Sequence, residues 1–192
     1  MGEIVEDPLA PARHRLSVDA YYKMAEAGIL TEPHRVELID GEIFDMAAIG
    51  SPHAAVTNRL ARIFSRSVSD EIALVNVQSP LRLDAHNEPQ PDLMLLRPRA
   101  DGYRAGHPGA ADVLLLIEVS ESSLAYDRGA KLPLYARFGV PEVWIVDLSD
   151  SAVEVYRAPR DGAYASRKRL TRGLLAPALV PRATVDVAGL LA

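Results

Sequence analysis

Three short runs constrain this chain more than anything else in it: PDLMLLR at 91–97, DVLLLIEVS at 112–120 and PEVWIVD at 141–147. Each is apolar at nearly every position instead of at alternate ones. Strands of that kind suit the centre of a sheet covered on both faces. A chain of 192 residues, 48% of them hydrophobic, is long enough to bury such a sheet within one α/β domain. No repeat, low-complexity segment or second core interrupts it. The expectation is therefore a single domain over 14–192, preceded by a flexible, Pro- and acid-rich N-terminus over 1–13.

Local signals fill in the rest. LSVDAYYKMAEAG (16–28) reads as a helix capped by Ser17 and stopped by Gly28. RVELIDGEIFDM (35–46) reads as a hairpin turning at Asp40–Gly41, with Val36 and Leu38 on one face and Glu37 on the other. SPHAAVTNRLARIFSRSVSDE (51–71) is the strongest helix. Ser51 suits its cap, Pro52 its first position, and Val56, Leu60, Ile63 and Phe64 form one stripe. ALVNVQSPLRL (73–83) reads as one or two strands broken at Pro80. A helix is expected over 129–138, stopped by Gly139. An edge hairpin is expected from 152–157 and 163–170, and a last strand or helical turn over 183–191.

The totals exclude several classes. Without cysteine there are no disulfides and no Cys-based zinc sites, and a cytoplasmic setting is expected. No signal peptide is legible, and no apolar run approaches the ~20 residues of a membrane span. Net charge is −5, against a generally basic nucleic-acid coat. From Arg157 onward, however, seven basic residues face two acids, so the tail is positive and the remainder strongly negative. That tail either lines a nucleic-acid groove or is a solvated basic hairpin.

Four charged residues break the apolar pattern. Asp92 opens a central strand, Glu118 closes another after five apolar residues, and Glu37 interrupts VELI. A carboxylate in an apolar sheet is costly unless something positive meets it, and clustered carboxylates raise one another's pKa. A divalent cation relieves both problems, and hard oxygen ligands suit Mg²⁺ or Mn²⁺. In isolation Asp92 reads as a turn or cap residue, and Glu37 as a solvent-facing one. Lys131 shares a helical stripe with Leu134, Tyr135 and Phe138, which turns it toward the sheet. It either snorkels along the helix edge or finds a partner.

PD at 91–92, EVS at 118–120 and a lysine on the next helix resemble the PD-(D/E)XK nuclease superfamily, with the lysine migrated from the usual place, here Ser120. ELIDGEI, SPHAAV, PDLMLL, LLIEVSESS and YDRGAKLPLYARFGVPEVWIVD together resemble its Uma-type restriction-endonuclease branch over roughly residues 15–160. The resemblance implies a restriction endonuclease-like core, a mixed sheet of about five strands flanked by helices, with the N-terminal helix and hairpin added. It implies a Mg²⁺-dependent (or Mn²⁺-dependent) endonuclease acting on DNA. Asp92 and Glu118 would be metal ligands with the Val119 carbonyl, Lys131 the catalytic lysine, and Glu37 the holder of a metal-bound water. His53 and Gln78 match recurrent polar positions near such sites, His53 reading otherwise as a capping histidine, and Asp127 reads as the N-cap of the lysine helix. Pro133 departs from the expected helix formers and would tilt Lys131. Cutting both strands of a duplex favours a homodimer. The alternative is a non-catalytic DNA-binding or protein-interaction module on the same fold.

Overall fold

The structure, a computed structural model, describes residues 13–31 and 34–192. The stretch expected to be flexible lies, except for Arg13, outside the described residues. Helix α1 (Val18–Glu26) leads to a hairpin of β1 (Val36–Ile39) and β2 (Glu42–Asp45), then helix α2 (Ser51–Ser67). Strands β3 (Leu74–Val77), β4 (Leu93–Leu96) and β5 (Val113–Ser120) follow. A helical crossover comes next, in three parts: α3 (Leu124–Tyr126), a π-helical turn (Asp127–Lys131) and α4 (Leu132–Arg137). The chain ends with β6 (Glu142–Asp147), β7 (Ala152–Arg160), β8 (Ala163–Leu170), β9 (Leu174–Leu175), β10 (Val185–Asp186) and α5 (Val187–Leu191).

The main sheet has six strands in the order β3-β4-β5-β6-β7-β8. Only β5 and β6 run parallel, because the helical crossover returns the chain to the same end; all other neighbours are antiparallel. Every residue of β4, β5 and β6 is buried. Successive side chains point to opposite faces, so this requires cover on both. On one face Leu93, Leu115, Ile117 and Trp144 pack against Leu60 and Phe64 of α2 and Leu190 of α5. On the other, Met94, Leu116, Val143 and Ile145 pack against Tyr135 of α4. The continuous apolar runs follow from this two-sided cover, and truncating Phe64 to Ala would cost about 3–5 kcal/mol.

The β1–β2 and β7–β8 turns are both Asp-Gly. Asp40 and Gly41 have φ of 51° and 77°, and Asp161 and Gly162 have 50° and 75°. Positive φ at both central residues twists the turn with the strands. A Cβ on Gly41 would also stand 2.6 Å from the Cβ of Arg15, so no other residue fits there. Several expected details move. Gly50 occupies the cap position of α2, and Ser51 is already helical and makes no capping bond. The break after β3 falls at Gln78, φ 45°, and not at Pro80. The tail supplies both a strand and a helix.

The crossover helix begins at Leu124, before the expected 129, and contains the π turn. Pro133 has no N–H, so a continuous α-helix would leave the carbonyl of Gly129 without its donor. Instead the Leu132 N–H reaches back to the Asp127 carbonyl, and Pro133 falls in the first turn of α4, where no donor is needed. Gly139, φ 74°, ends the helix as expected.

Candidate active site

Strand alternation sends Ile117 and Val119 of β5 toward α2 and sends Leu116 and Glu118 under the crossover helix. Lys131 and Tyr135, four apart, come down from that helix onto Glu118. The Lys131 Nζ lies 2.8 Å from Glu118 Oε1, and the Tyr135 hydroxyl donates to the same oxygen at 2.6 Å. Lys131 is only 3% exposed, so it does not snorkel to water. Its ammonium also lies 3.3 Å from Glu37 Oε2. Glu37 is equally buried and accepts the Gln90 N–H at 3.0 Å, so it does not face solvent. The hairpin that carries it folds back over the end of the sheet, held by the Leu38–Glu88 bridge.

Asp92 is no turn cap either. Its Oδ2 accepts the Val119 N–H at 2.9 Å and lies 3.0 Å from His53 Nε2. Its Oδ1 accepts from Gln78 Nε2 at 3.2 Å, and its carbonyl accepts the Gln78 N–H. In a strand the N–H and C=O of one residue point to the same side, so the Val119 carbonyl turns to the Asp92 side of β5. Glu37, His53, Asp92, Glu118, Val119 and Lys131 all line one cavity of about 210 Å³. Gln78 stands behind Asp92 and does not line it. The loops at 45–50 and 121–123 form the cavity's other walls, together with Arg35, Tyr126 and Asp127.

The charges in this cavity are unbalanced. Burial pushes the Glu118 carboxyl up; the Lys131 ammonium opposes this, and Asp127, Asp92 and Glu37 reinforce it. Burial works against the Lys131 ammonium, but Glu118, Glu37 and Asp127 more than restore it, and its pKa is raised. Burial also works against the Asp92 carboxylate, yet His53, the Val119 N–H and Gln78 overcome it and hold the pKa below the ordinary range. The bond to Asp92 raises His53 in turn, against the effect of burial. The lysine therefore keeps its proton, and the Glu118 carboxyl is held above the ordinary carboxylate range.

Residues 18–188 match the family model Uma2, described as "Putative restriction endonuclease". The chain belongs to the Uma2 family. No curated protein matches it. Among solved structures it is similar to the crystal structure of a "putative nuclease belonging to DUF820" from Anabaena variabilis ATCC 29413. The TM-score is 0.70 over 92% of this chain and 97% of that one, at 17% identity, a likeness of fold. The mixed sheet flanked by helices and the Uma-type resemblance are both borne out.

In this Uma2 chain, Ser120 holds the position where the superfamily usually has its lysine. It is fully buried and donates its hydroxyl to Asp127 Oδ2 at 2.7 Å; Ser123 donates to the same oxygen at 2.6 Å. Asp127 is thus no N-cap. It lies inside the helix and ties the π turn to the end of β5. Tyr135 and Asp127 were missed as site residues. Tyr135 is legible by its spacing of four from Lys131, which puts its hydroxyl beside the ammonium even though its ring belongs to the apolar stripe.

Among the described residues, no three His, Asp or Glu side chains stand close enough to hold a metal ion between them. The donor set still fits a hard cation. Mg²⁺ is usually held by one or two carboxylates, with waters and phosphate completing its shell. Asp92 and Glu118 supply two carboxylates on one cavity beside the Val119 carbonyl. The bonds of Glu118 to Lys131 and Tyr135 both fall on Oε1, so neither engages Oε2.

Proposed function

We propose that this protein is a Mg²⁺- or Mn²⁺-dependent endonuclease that hydrolyses DNA phosphodiesters. The observation that carries the reading is a buried ammonium, Lys131, 2.8 Å from Glu118 in a cavity that Asp92 also lines. Membership of the Uma2 family supports it. Asp92, Glu118 and the Val119 carbonyl would hold the cation, which supplies positive charge against the phosphoryl oxygens and makes water acidic enough to attack. Lys131 presents its ammonium to charge that develops on the phosphate, a contribution made in the transition state. Glu37 fixes that ammonium through a second ion pair. His53 and Gln78 fix the two oxygens of Asp92. We take residues 14–192 as one domain acting in the cytoplasm, and a two-fold homodimer as the form that cuts both strands.

A module that binds DNA or protein without catalysis is the second reading. The lack of three close ligand side chains among the described residues favours it. Nicking of supercoiled plasmid with Mn²⁺ separates the two. Wild type should nick, and Asp92→Ala, purified identically, should not. Equal nicking by both, or none by either, removes the endonuclease reading. Millimolar Mn²⁺ should also raise the melting temperature of wild type alone, since a ligand at 100 times its Kd stabilises by about 2.7 kcal/mol.

A further inference from the structure

Pro133 accounts for the π-helical pairing beneath Lys131, but not for the rotation that aims its ammonium. The π turn is a geometry that is rare and recurs at functional sites. Three of its five residues are tied by their side chains to different parts of the molecule. Asp127 is held by Ser120 and Ser123, and Lys131 by Glu118 and Glu37. Arg128 points the other way. Its Nε lies 3.1 Å from Glu154 Oε2, and one terminal nitrogen lies 2.9 Å from Glu154 Oε1 and 3.2 Å from Asp147 Oδ2. Glu154 is fully buried and Asp147 is 1% exposed. A forked, bidentate guanidinium on two buried carboxylates defines a position far better than a single point charge does.

We propose that Arg128 is a positioning residue for Lys131, its fork on Glu154 and Asp147 fixing the rotation of the π turn that aims the ammonium at Glu118. Two consequences follow from the geometry. Pro133 keeps the turn from pairing as a continuous α-helix but does not set its rotation; loss of the fork frees the turn to rotate, and each residue of register turns a side chain by about 100° around the axis. Lys131 then leaves the Glu118–Glu37 pair while Asp92, His53 and the metal donors stay in place. The loss should therefore be one of lysine placement and not of cation binding.

The inference rests on the endonuclease reading for its activity arm only. The chain has three lysines, Lys23, Lys131 and Lys168, so a lysine-selective NMR spectrum of the full chain resolves the buried one. Arg128→Gln should move or broaden the Lys131 signal and leave the other two. Glu154→Gln should do the same to a smaller extent, which covers the case that Arg128→Gln does not fold. Arg157→Ala is the control. It breaks a comparable pair, Arg157 to buried Glu142 at 2.7 Å, that does not touch the turn. It should lower stability and leave the Lys131 signal where it was. In plasmid nicking, Arg128→Gln should lower the rate about 10-fold, the scale for losing a group that orients a catalytic one. Added to Lys131→Ala it should cost nothing further. An unmoved Lys131 signal in folded Arg128→Gln, the same movement in Arg157→Ala, or full additivity with Lys131→Ala would overturn the proposal. Because the spectrum needs no activity, an inactive wild type sinks the endonuclease reading and leaves this one to be decided by NMR.

Discussion

Two groups of buried acids lie on this sheet, and they are handled in opposite ways. At the end of β5, Glu37 and Glu118 share Lys131, Asp92 pairs with His53, and the Asp127 carboxylate accepts only from the hydroxyls of Ser120 and Ser123. On β6 and β7, Glu142, Asp147 and Glu154 meet three arginines. Arg128 and Arg167 both reach Glu154, Arg128 also reaches Asp147, and Arg157 reaches Glu142. Burial pushes the Glu154 carboxyl up, but Tyr156, Arg128 and Arg167 override it and bring the pKa down to about 2. In the first group, Glu118 moves up. Both groups are equally hidden from water, so burial of a carboxylate does not mark a functional site. On the proposed function the balance of opposing charge does: the acids matched by arginines would be structural, and the surplus of acid would leave room for a cation.

The comparison can be broken most sharply from the matched side. Removing Arg128 and Arg167 together strands the Glu154 carboxylate, and the double Ala variant should lose about 3–5 kcal/mol in urea titration. A loss under 1 kcal/mol would mean that Glu154 finds water and that the group is not the structural one. On the surplus side the largest effect should be catalytic. Lys131→Ala should keep the fold and the Mn²⁺-induced melting shift while nicking falls by ~10²-fold, and Lys131→Arg should recover little of it. Full nicking by Lys131→Ala would keep the endonuclease and discard its lysine.

A smaller effect tests the surplus directly. Without metal, Glu118→Gln relieves an acid that burial disfavours, so the variant should melt at or above wild type, by ~1 kcal/mol, and lose its response to Mn²⁺. A variant clearly less stable than wild type, with its Mn²⁺ response intact, would make Glu118 an ordinary ion-pair partner. The smallest effect is in pH. Glu154, with its folded pKa below the ordinary 4.5, adds stability above that value and loses it as pH falls toward 2. Glu118, with its folded pKa above 4.5, contributes below that value and loses the contribution as pH rises. The melting advantage of Glu118→Gln should therefore widen from about pH 5 to 8, while the deficit of Glu154→Gln should shrink below about pH 4. Parallel pH profiles for the two variants would erase the distinction between the groups.

Glu118 stood out because five apolar residues precede it. Glu142 and Asp147 are as deeply buried, but they sit at strand ends, where acids are ordinary. Glu154 alternates with valines in a run that reads as half-exposed. Arg128 gave no signal at all, because an arginine near a helix start is usually solvated.

The sequence by itself determined the elements and their order. Asp-Gly pairs set the β1–β2 and β7–β8 turns, 3.6-residue periodicity set α2, and uniformly apolar runs set β4, β5 and β6 as central strands. These signals are local: each is read within a few residues, where backbone preference and side-chain alternation act. The tertiary structure decided the charges. That Glu37 turns inward to Lys131, that Asp92 is bound by His53 and Val119, and that Arg128 leaves the site for Glu154 all depend on residues far apart in the chain. A buried charge is stable only with its partner, and the partner is chosen when the layers pack.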